Sequence, residues 1–234
     1  MMHKIFDSKQ ELATYFGEYL LNKTKEKPDL NIALSGGSTP KVIFEVLARD
    51  FEKSIDWTKI RFFWGDERCV LPTNPESNFG MTREHLFDHV KTRAINIFRV
   101  KGELDPQEAV KAYSATINDN VPHVNHIPQF DIMLLGMGDD GHTASIFPHQ
   151  IKLWDSNNIC ELAQHPETGQ VRVSLTGKVI NNSKEIIFLV TGANKAEKVD
   201  EIFNKKNNYQ QYPAALVNMN KATWLLDKEA AESL

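Results

Sequence analysis

The chain has 234 residues, with 27 Lys+Arg against 31 Asp+Glu, a formal net charge of −4, 41% hydrophobic and 25% charged residues. This is a globular composition with material for a sizeable core, and its negative balance excludes the basic field of a general DNA or RNA binder. No apolar run approaches the roughly 20 residues of a membrane helix, and the two cysteines, Cys69 and Cys160, cannot build a framework of several disulfides. The expectation is a single α/β domain over 1–234 in a reducing, cytoplasmic setting. The opening Met1-Met2-His3-Lys4 runs into a polar stretch, not a signal-peptide core.

In chain order, Ser8-Lys9-Gln10-Glu11 reads as a capping box ahead of an amphipathic helix carrying Leu12, Tyr15, Phe16, Tyr19 and Leu20. Leu30–Ser35 is a buried strand. Gly36-Gly37-Ser38-Thr39-Pro40 follows, with Thr39 as N-cap and Pro40 at the first position of the next helix. Ile60–Trp64 is a second strand, ending in Gly65-Asp66-Glu67-Arg68. A polar loop leads to a helix around Phe79–Phe87, Ile95–Val100 reads as a strand, and Asp105-Pro106 caps a helix to about Ile117. Phe130–Leu135 is a strand running into Gly136-Met137-Gly138-Asp139-Asp140-Gly141-His142. Val171–Thr176 and Glu185–Val190 are later strands, a helix starts at Asn194, and Thr223–Leu226 is a late strand. Alternating strands and helices predict an open, largely parallel sheet with helices on both faces, of Rossmann-like type.

Polar clusters follow these strands directly: Ser35–Thr39, Asp66–Arg68, Gly136–His142 and Thr191–Lys195. Open α/β sheets bind ligands beyond the carboxyl ends of their strands, so four such clusters predict one shared site. Gly36, Gly37, Ser38 and Thr39, between a strand and a helix start, suit either a phosphate cradle or a tight capped turn. No Gly-Lys-Ser/Thr follows, so this is not a Walker loop. Arg68 is suited to clamping a phosphate or carboxylate, and a neighbouring acid to orienting a base; a surface ion pair is the competing reading.

Gly136-x-Gly138-x-x-Gly141 matches the dinucleotide fingerprint formally, but Asp139 and Asp140 would set two negative charges beside a pyrophosphate, and Pro148 would interrupt the helix that the motif requires. The stronger feature is His142, whose imidazole is a natural base near pH 7, with Asp140 close enough to hold it. His85 and His89 lie one helical turn apart with no third metal ligand evident, and His123 and His126 flank a loop. Cys69 has no catalytic partner set, and Gly-x-Ser-x-Gly is absent.

Together, Leu34-Ser35-Gly36-Gly37-Ser38-Thr39-Pro40, Trp64-Gly65-Asp66-Glu67-Arg68, Ser77-Asn78 and Gly136 through Pro148 resemble the 6-phosphogluconolactonase family. Val171–Thr176 and Val190–Ala196 fit as well. The related glucosamine-6-phosphate deaminases typically read Asp-Glu-Tyr where this chain has Asp66-Glu67-Arg68, and Ile-Ala-Phe-Asn-Glu where it has Thr143-Ala144-Ser145-Ile146-Phe147. Both differences favour the lactonase. Leu71 and Asp139 stand where proline is common, and His149 where glycine is.

The resemblance implies hydrolysis of 6-phospho-D-glucono-1,5-lactone to 6-phosphogluconate in the oxidative pentose phosphate pathway. It implies no metal or organic cofactor, and the charge and composition add the expectation of no nucleic-acid or membrane partner. The resemblance further implies His142 as general base, Asp140 as its partner, and Asp66 as a helper of His142 or a contact to a sugar hydroxyl. Gly36–Thr39 would hold the phosphate with Arg68 and Lys195, and Arg172 would contact phosphate or sugar. The alternatives are an amino-sugar phosphate isomerase/deaminase, in which Asp66 acts as a carbon base, and a non-catalytic sugar-phosphate binder.

Overall fold

Six parallel strands form the main sheet of the computed structural model, which describes residues 2–234. The elements are β1 (Met2–Phe6), α1 (Lys9–Glu26), β2 (Leu30–Leu34), α2 (Ser38–Asp50), β3 (Ile60–Trp64), β4 (Asp66–Arg68), α3 (Asn78–Thr82) and α4 (Pro106–Asn120). They continue with β5 (His123–Val124), β6 (Ile127–Pro128), β7 (Ile132–Leu135), β8 (Cys160–Gln164), β9 (Val171–Leu175), α5 (Gly177–Asn182), β10 (Glu185–Val190), α6 (Ala196–Phe203) and β11 (Ala222–Asp227). The main sheet runs β1-β11-β10-β7-β2-β3; β4-β9-β8 make a second, antiparallel sheet, and β5-β6 a small hairpin.

The period-2 alternation of side chains divides the core into two. Ile32, Leu34, Phe62, Trp64, Leu134, Leu189 and Leu225 face one way and pack with Leu12, Phe16 and Leu20 of α1 and Ile43, Phe44 and Leu47 of α2. Ala33, Phe63, Met133, Leu135, Phe188 and Trp224 face the other way. They meet Tyr113 and Ile117 of α4, Val179 and Ile180 of α5, Val199 and Ile202 of α6, and Val173 and Leu175 of the second sheet. Helices therefore cover both faces, as the alternation of elements predicted.

The strand order reverses between β2 and β7, which pair in parallel at Ile32 and Ala33. Chain leaving β2 moves toward β3, whereas chain leaving β7 moves toward β10. The crevice at their carboxyl ends is the switch point where such sheets hold ligands.

Three local readings need correction. Ile95–Val100 is not a strand: Ala94–Asn96 is a 3-10 turn, and the segment touches the sheet through one bridge, Phe62 to Ile97. Helix α2 starts earlier than the Thr39-Pro40 signal suggests, with Gly37 as N-cap and Ser38 first, so Pro40 is the third helical residue. Pro40 is still harmless there, because first-turn N–H groups have no helical partner. Finally, Asp66–Arg68 does not end the main-sheet strand. The chain leaves that sheet at Gly65, whose N–H donates to Leu34 at 2.8 Å and whose carbonyl accepts from Leu175 at 2.8 Å. Tyr113 fixes the exit by bonding both the N–H (2.7 Å) and the carbonyl (2.8 Å) of Trp64.

The expected features elsewhere hold. Ser8 caps α1, accepting from the Glu11 N–H at 3.2 Å. Asp105 caps α4, with Pro106 opening it. The Phe79–Phe87 helix is α3 followed by a π-helical turn, Arg83–Phe87. No helix among the described residues is long and apolar enough to cross a membrane.

Candidate active site

A cavity of about 230 Å3 opens at the switch point. Of the residues selected from sequence, Gly36, Gly37, Ser38, Thr39, Asp66, Arg68, His142, Arg172 and Lys195 line it; Asp140 does not, and sits behind His142. All four post-strand clusters thus contribute to one space.

The β2–α2 loop forms one side of the cavity. Gly37 has φ 103, a backbone conformation that favours glycine. Gly36 is required for a different reason: a Cβ there would lie 1.8 Å from Asn78 Oδ1. The first-turn N–H groups of Ser38 and Thr39 lie at the positive end of the 13-residue helix α2. Thr39 Oγ1 is 2.7 Å from Thr191 Oγ1, tying this loop to the one after β10.

Arg68 and Arg172 stand directly opposite each other on the β4–β9 ladder. Like charges in that register repel, so the pair is suited to a shared anion. Among the described residues neither arginine makes a salt bridge: Arg68 Nη1 donates to the Glu76 carbonyl at 2.5 Å, while Arg172 donates to Gln170 at 3.1 Å and to Ser145 Oγ at 3.4 Å. The Arg68 Nε is buried without a partner. Burial, followed by the Arg68 charge, holds the Arg172 guanidinium below its ordinary value.

Alternation along β4 sorts its three charges. Asp66 and Arg68 face the cavity. Glu67, only 2% exposed, turns inward and accepts from the Arg68, Asn78 and Phe79 N–H groups at 2.7, 2.8 and 2.8 Å and from Ser77 Oγ at 3.0 Å. Burial still pushes its carboxyl above the ordinary value, against those backbone donors.

His142 Nδ1 is 2.6 Å from Asp140 Oδ1, which also accepts the His142 backbone N–H at 3.0 Å. Burial works to raise the Asp140 carboxyl, but the His142 contacts outweigh it and hold the group below its ordinary value. An ionised carboxylate only accepts, so in the neutral imidazole Nδ1 carries the proton and Nε2 the lone pair. The His142 ring lies 4.5 Å from the buried Phe147 ring, which also carries the Arg172 guanidinium at 5.5 Å. No helix starts after Gly141; the chain makes a Thr143–Ile146 bridge with Ala144 at φ 49, so the pyrophosphate site of the formal glycine motif does not form.

Lys195 reaches the cavity from the loop after β10, and its Nζ is paired with Asp139. Asn78 of the wall and Ser145 behind it carry roles that the sequence alone did not assign. Asn78 donates to the Asp66 carbonyl at 2.9 Å. Ser145, with no exposed surface, donates to Asp66 Oδ2 at 2.6 Å and accepts from Arg172. Both belong to the recognised motifs, but their partners are more than ten residues away and carry no local signal.

Of the other histidines, His149 and His165 pack on the Phe147 ring at 5.8 and 5.3 Å, whereas His85 and His89 lie elsewhere. His85 meets Glu45 at 3.1 Å and His89 a backbone carbonyl. Among the described residues no group of three or more His, Cys, Asp or Glu is placed to hold a metal ion.

Residues 7–226 match the family described as glucosamine-6-phosphate isomerases/6-phosphogluconolactonase. The chain belongs to this family. It is 46% identical over 202 residues to the 6-phosphogluconolactonase of Treponema pallidum, covering 86% of this chain and 84% of the relative. The crystal structure of the devB protein superposes with a TM-score of 0.94 at 40% identity, covering 100% of this chain and 99% of that one. A monomeric glucosamine-6-phosphate deaminase superposes at 0.84 with full coverage of both chains but 21% identity, a likeness of fold alone.

Proposed function

We propose that the chain is a 6-phosphogluconolactonase, hydrolysing 6-phospho-D-glucono-1,5-lactone to 6-phosphogluconate within the oxidative pentose phosphate pathway, with residues 1–234 acting as one unit. One observation carries this reading: a single cavity holds a carboxylate-bound histidine with a free Nε2 together with a glycine–helix cradle and three cations. A small ring ester with a phosphate handle needs both halves.

The phosphate lies on the Gly36–Thr39 loop, where helix N–H groups and the Arg68 and Lys195 cations meet it. Binding at this remote group orients the lactone carbonyl. His142 Nε2 takes a proton from water as the water oxygen attacks the carbonyl carbon, and Asp140 stabilises the imidazolium. The tetrahedral intermediate then collapses: the bond from the carbonyl carbon to the ring oxygen breaks, and His142 returns the proton to that oxygen. The new acid loses its own proton to solvent. Arg172 contacts phosphate or sugar, and Asp66 is placed for a sugar hydroxyl. Water, the imidazole and the product account for every proton of this mechanism.

The test is lactone hydrolysis with substrate generated in situ and spontaneous hydrolysis subtracted. His142→Ala is expected to lower kcat by about 10²-fold or more with little change in KM. A folded variant with near-normal kcat refutes the base assignment. No acceleration by the wild type refutes the lactonase, and ammonia release from glucosamine 6-phosphate becomes the next assay.

A further inference from the structure

Three cations line the cavity, and they are not equally free. Arg68 and Arg172 meet only neutral acceptors, whereas Lys195 carries its own counter-anion: the ammonium bonds Asp139 Oδ1, and Asn194 Nδ2 donates to the same oxygen at 2.8 Å. The two partners are unequally placed. The Lys195 side chain is 18% exposed and reaches the cavity, whereas Asp139 is 66% exposed and is not part of its wall. The Lys195 hydrogen bond, with a smaller contribution from Asn194, holds the Asp139 carboxyl below its ordinary value, so it stays ionised as a partner.

We propose that Asp139 is an affinity-setting residue: an internal anion that occupies the Lys195 ammonium until the phosphate of the sugar ligand displaces it. This rests on Lys195 being a phosphate contact. A phosphate at that contact must take over the ammonium from a carboxylate, and it then lies beside the displaced negative charge. Both effects weaken phosphate binding. They weaken it equally for substrate, intermediate and product, because the phosphate is unchanged by the reaction. Such uniform weakening raises KM and speeds product release, yet leaves the chemical step alone. The exposure of Asp139 makes displacement cheap, since the freed carboxylate passes into water with little reorganisation. A ligand without a phosphoryl group cannot make the exchange and gains nothing from Lys195.

The test is calorimetric titration of wild type, Asp139→Asn and Lys195→Met with 6-phosphogluconate, paired with KM measurement on the lactone. Asn at 139 keeps the size of the side chain and removes only its charge. The expected result is about 3- to 10-fold tighter 6-phosphogluconate binding by D139N, an effect on the scale of one nearby charge in a solvated site. KM should fall by a similar factor, while K195M binds at least about tenfold more weakly. If K195M weakens binding but D139N leaves it unchanged or also weakens it, Asp139 does not compete and the inference is overturned with the phosphate assignment intact. If K195M binds as tightly as wild type, the assignment of Lys195 itself fails, and the inference fails with it.

Discussion

Gly138→Ala should disable catalysis by one methyl group without unfolding the chain. A Cβ at this position would lie 2.1 Å from His142 Nδ1, 2.2 Å from His142 Cε1 and 2.7 Å from Asp140 Oδ1. Carbon and nitrogen in contact sit about 3.5 Å apart, so the imidazole must retreat by about 1 Å or more. That movement breaks the 2.6 Å Asp140 contact, which fixes the tautomer, and turns Nε2 away from the attacking water. A displacement of this size costs about 10²-fold in rate, so kcat should fall by at least that factor. Gly136→Ala is the matched control, because its nearest neighbour would be Ser35 Oγ at 3.8 Å, an ordinary contact. Its kcat should stay within about threefold of wild type. The assay is the coupled lactone reaction, with thermal melting and 6-phosphogluconate titration to show that fold and phosphate binding survive. A G138A enzyme with kcat within about threefold of wild type, or equal losses in both variants, would refute the argument that Gly138 exists to admit the His142–Asp140 pair.

Other expectations follow from buried partners. Ser145→Ala removes the 2.6 Å donor from buried Asp66 and leaves its carboxylate short of a partner, which should cost about 1–3 kcal/mol in urea unfolding. An unchanged midpoint would mean that water replaces the hydroxyl. Glu201 accepts from Lys198 at 2.8 Å, Tyr212 at 2.7 Å and Asn207 at 2.5 Å, and the Lys198 bond foremost holds its carboxyl down to about 2. An unfolded Glu titrates near about 4.3, so this stabilisation is complete above that pH and is lost as pH falls toward the folded value. The melting temperature of wild type should therefore drop more steeply with acid than that of Glu201→Gln; parallel curves would dismiss the contribution. The effect bears on the site, because the Tyr212 ring packs on Gly141, where a Cβ would meet it at 2.6 Å.

The main sheet was readable because β2, β3, β7 and β10 are short apolar runs bounded by glycine or polar turns, and run length and boundaries define them. Ile95–Val100 has similar residues without their environment: Ile95 is 78% exposed, and the segment passes the sheet edge with a single bridge. Strand β1 was missed for the converse reason, since an edge strand whose residues are largely exposed has no buried pattern to betray it. The glycine loop at the cavity was readable because glycine, hydroxyl and helix start lie within a few residues. The roles of Ser145 and Asn78 were not readable because their chemistry depends on partners that only folding brings together.

The three consecutive charges Asp66-Glu67-Arg68 show how the two kinds of information combine. In sequence they suit either an anion clamp with a base-orienting acid or a surface ion pair, and neither reading says which charge faces which way. Placed on β4 after the chain changes sheets at Gly65, they separate by the pleat. The middle carboxylate goes inward and binds the Arg68 N–H and three donors around the start of α3, which fixes the backbone on which Arg68 and Asn78 stand. The outer two are then presented to the cavity from a strand whose position does not depend on them. Asp66 is anchored through Ser145, and Arg68 is left with a buried Nε that no protein acceptor satisfies. A buried donor without a partner is costly. Set opposite Arg172, it is the geometry of a wall prepared for an anionic ligand.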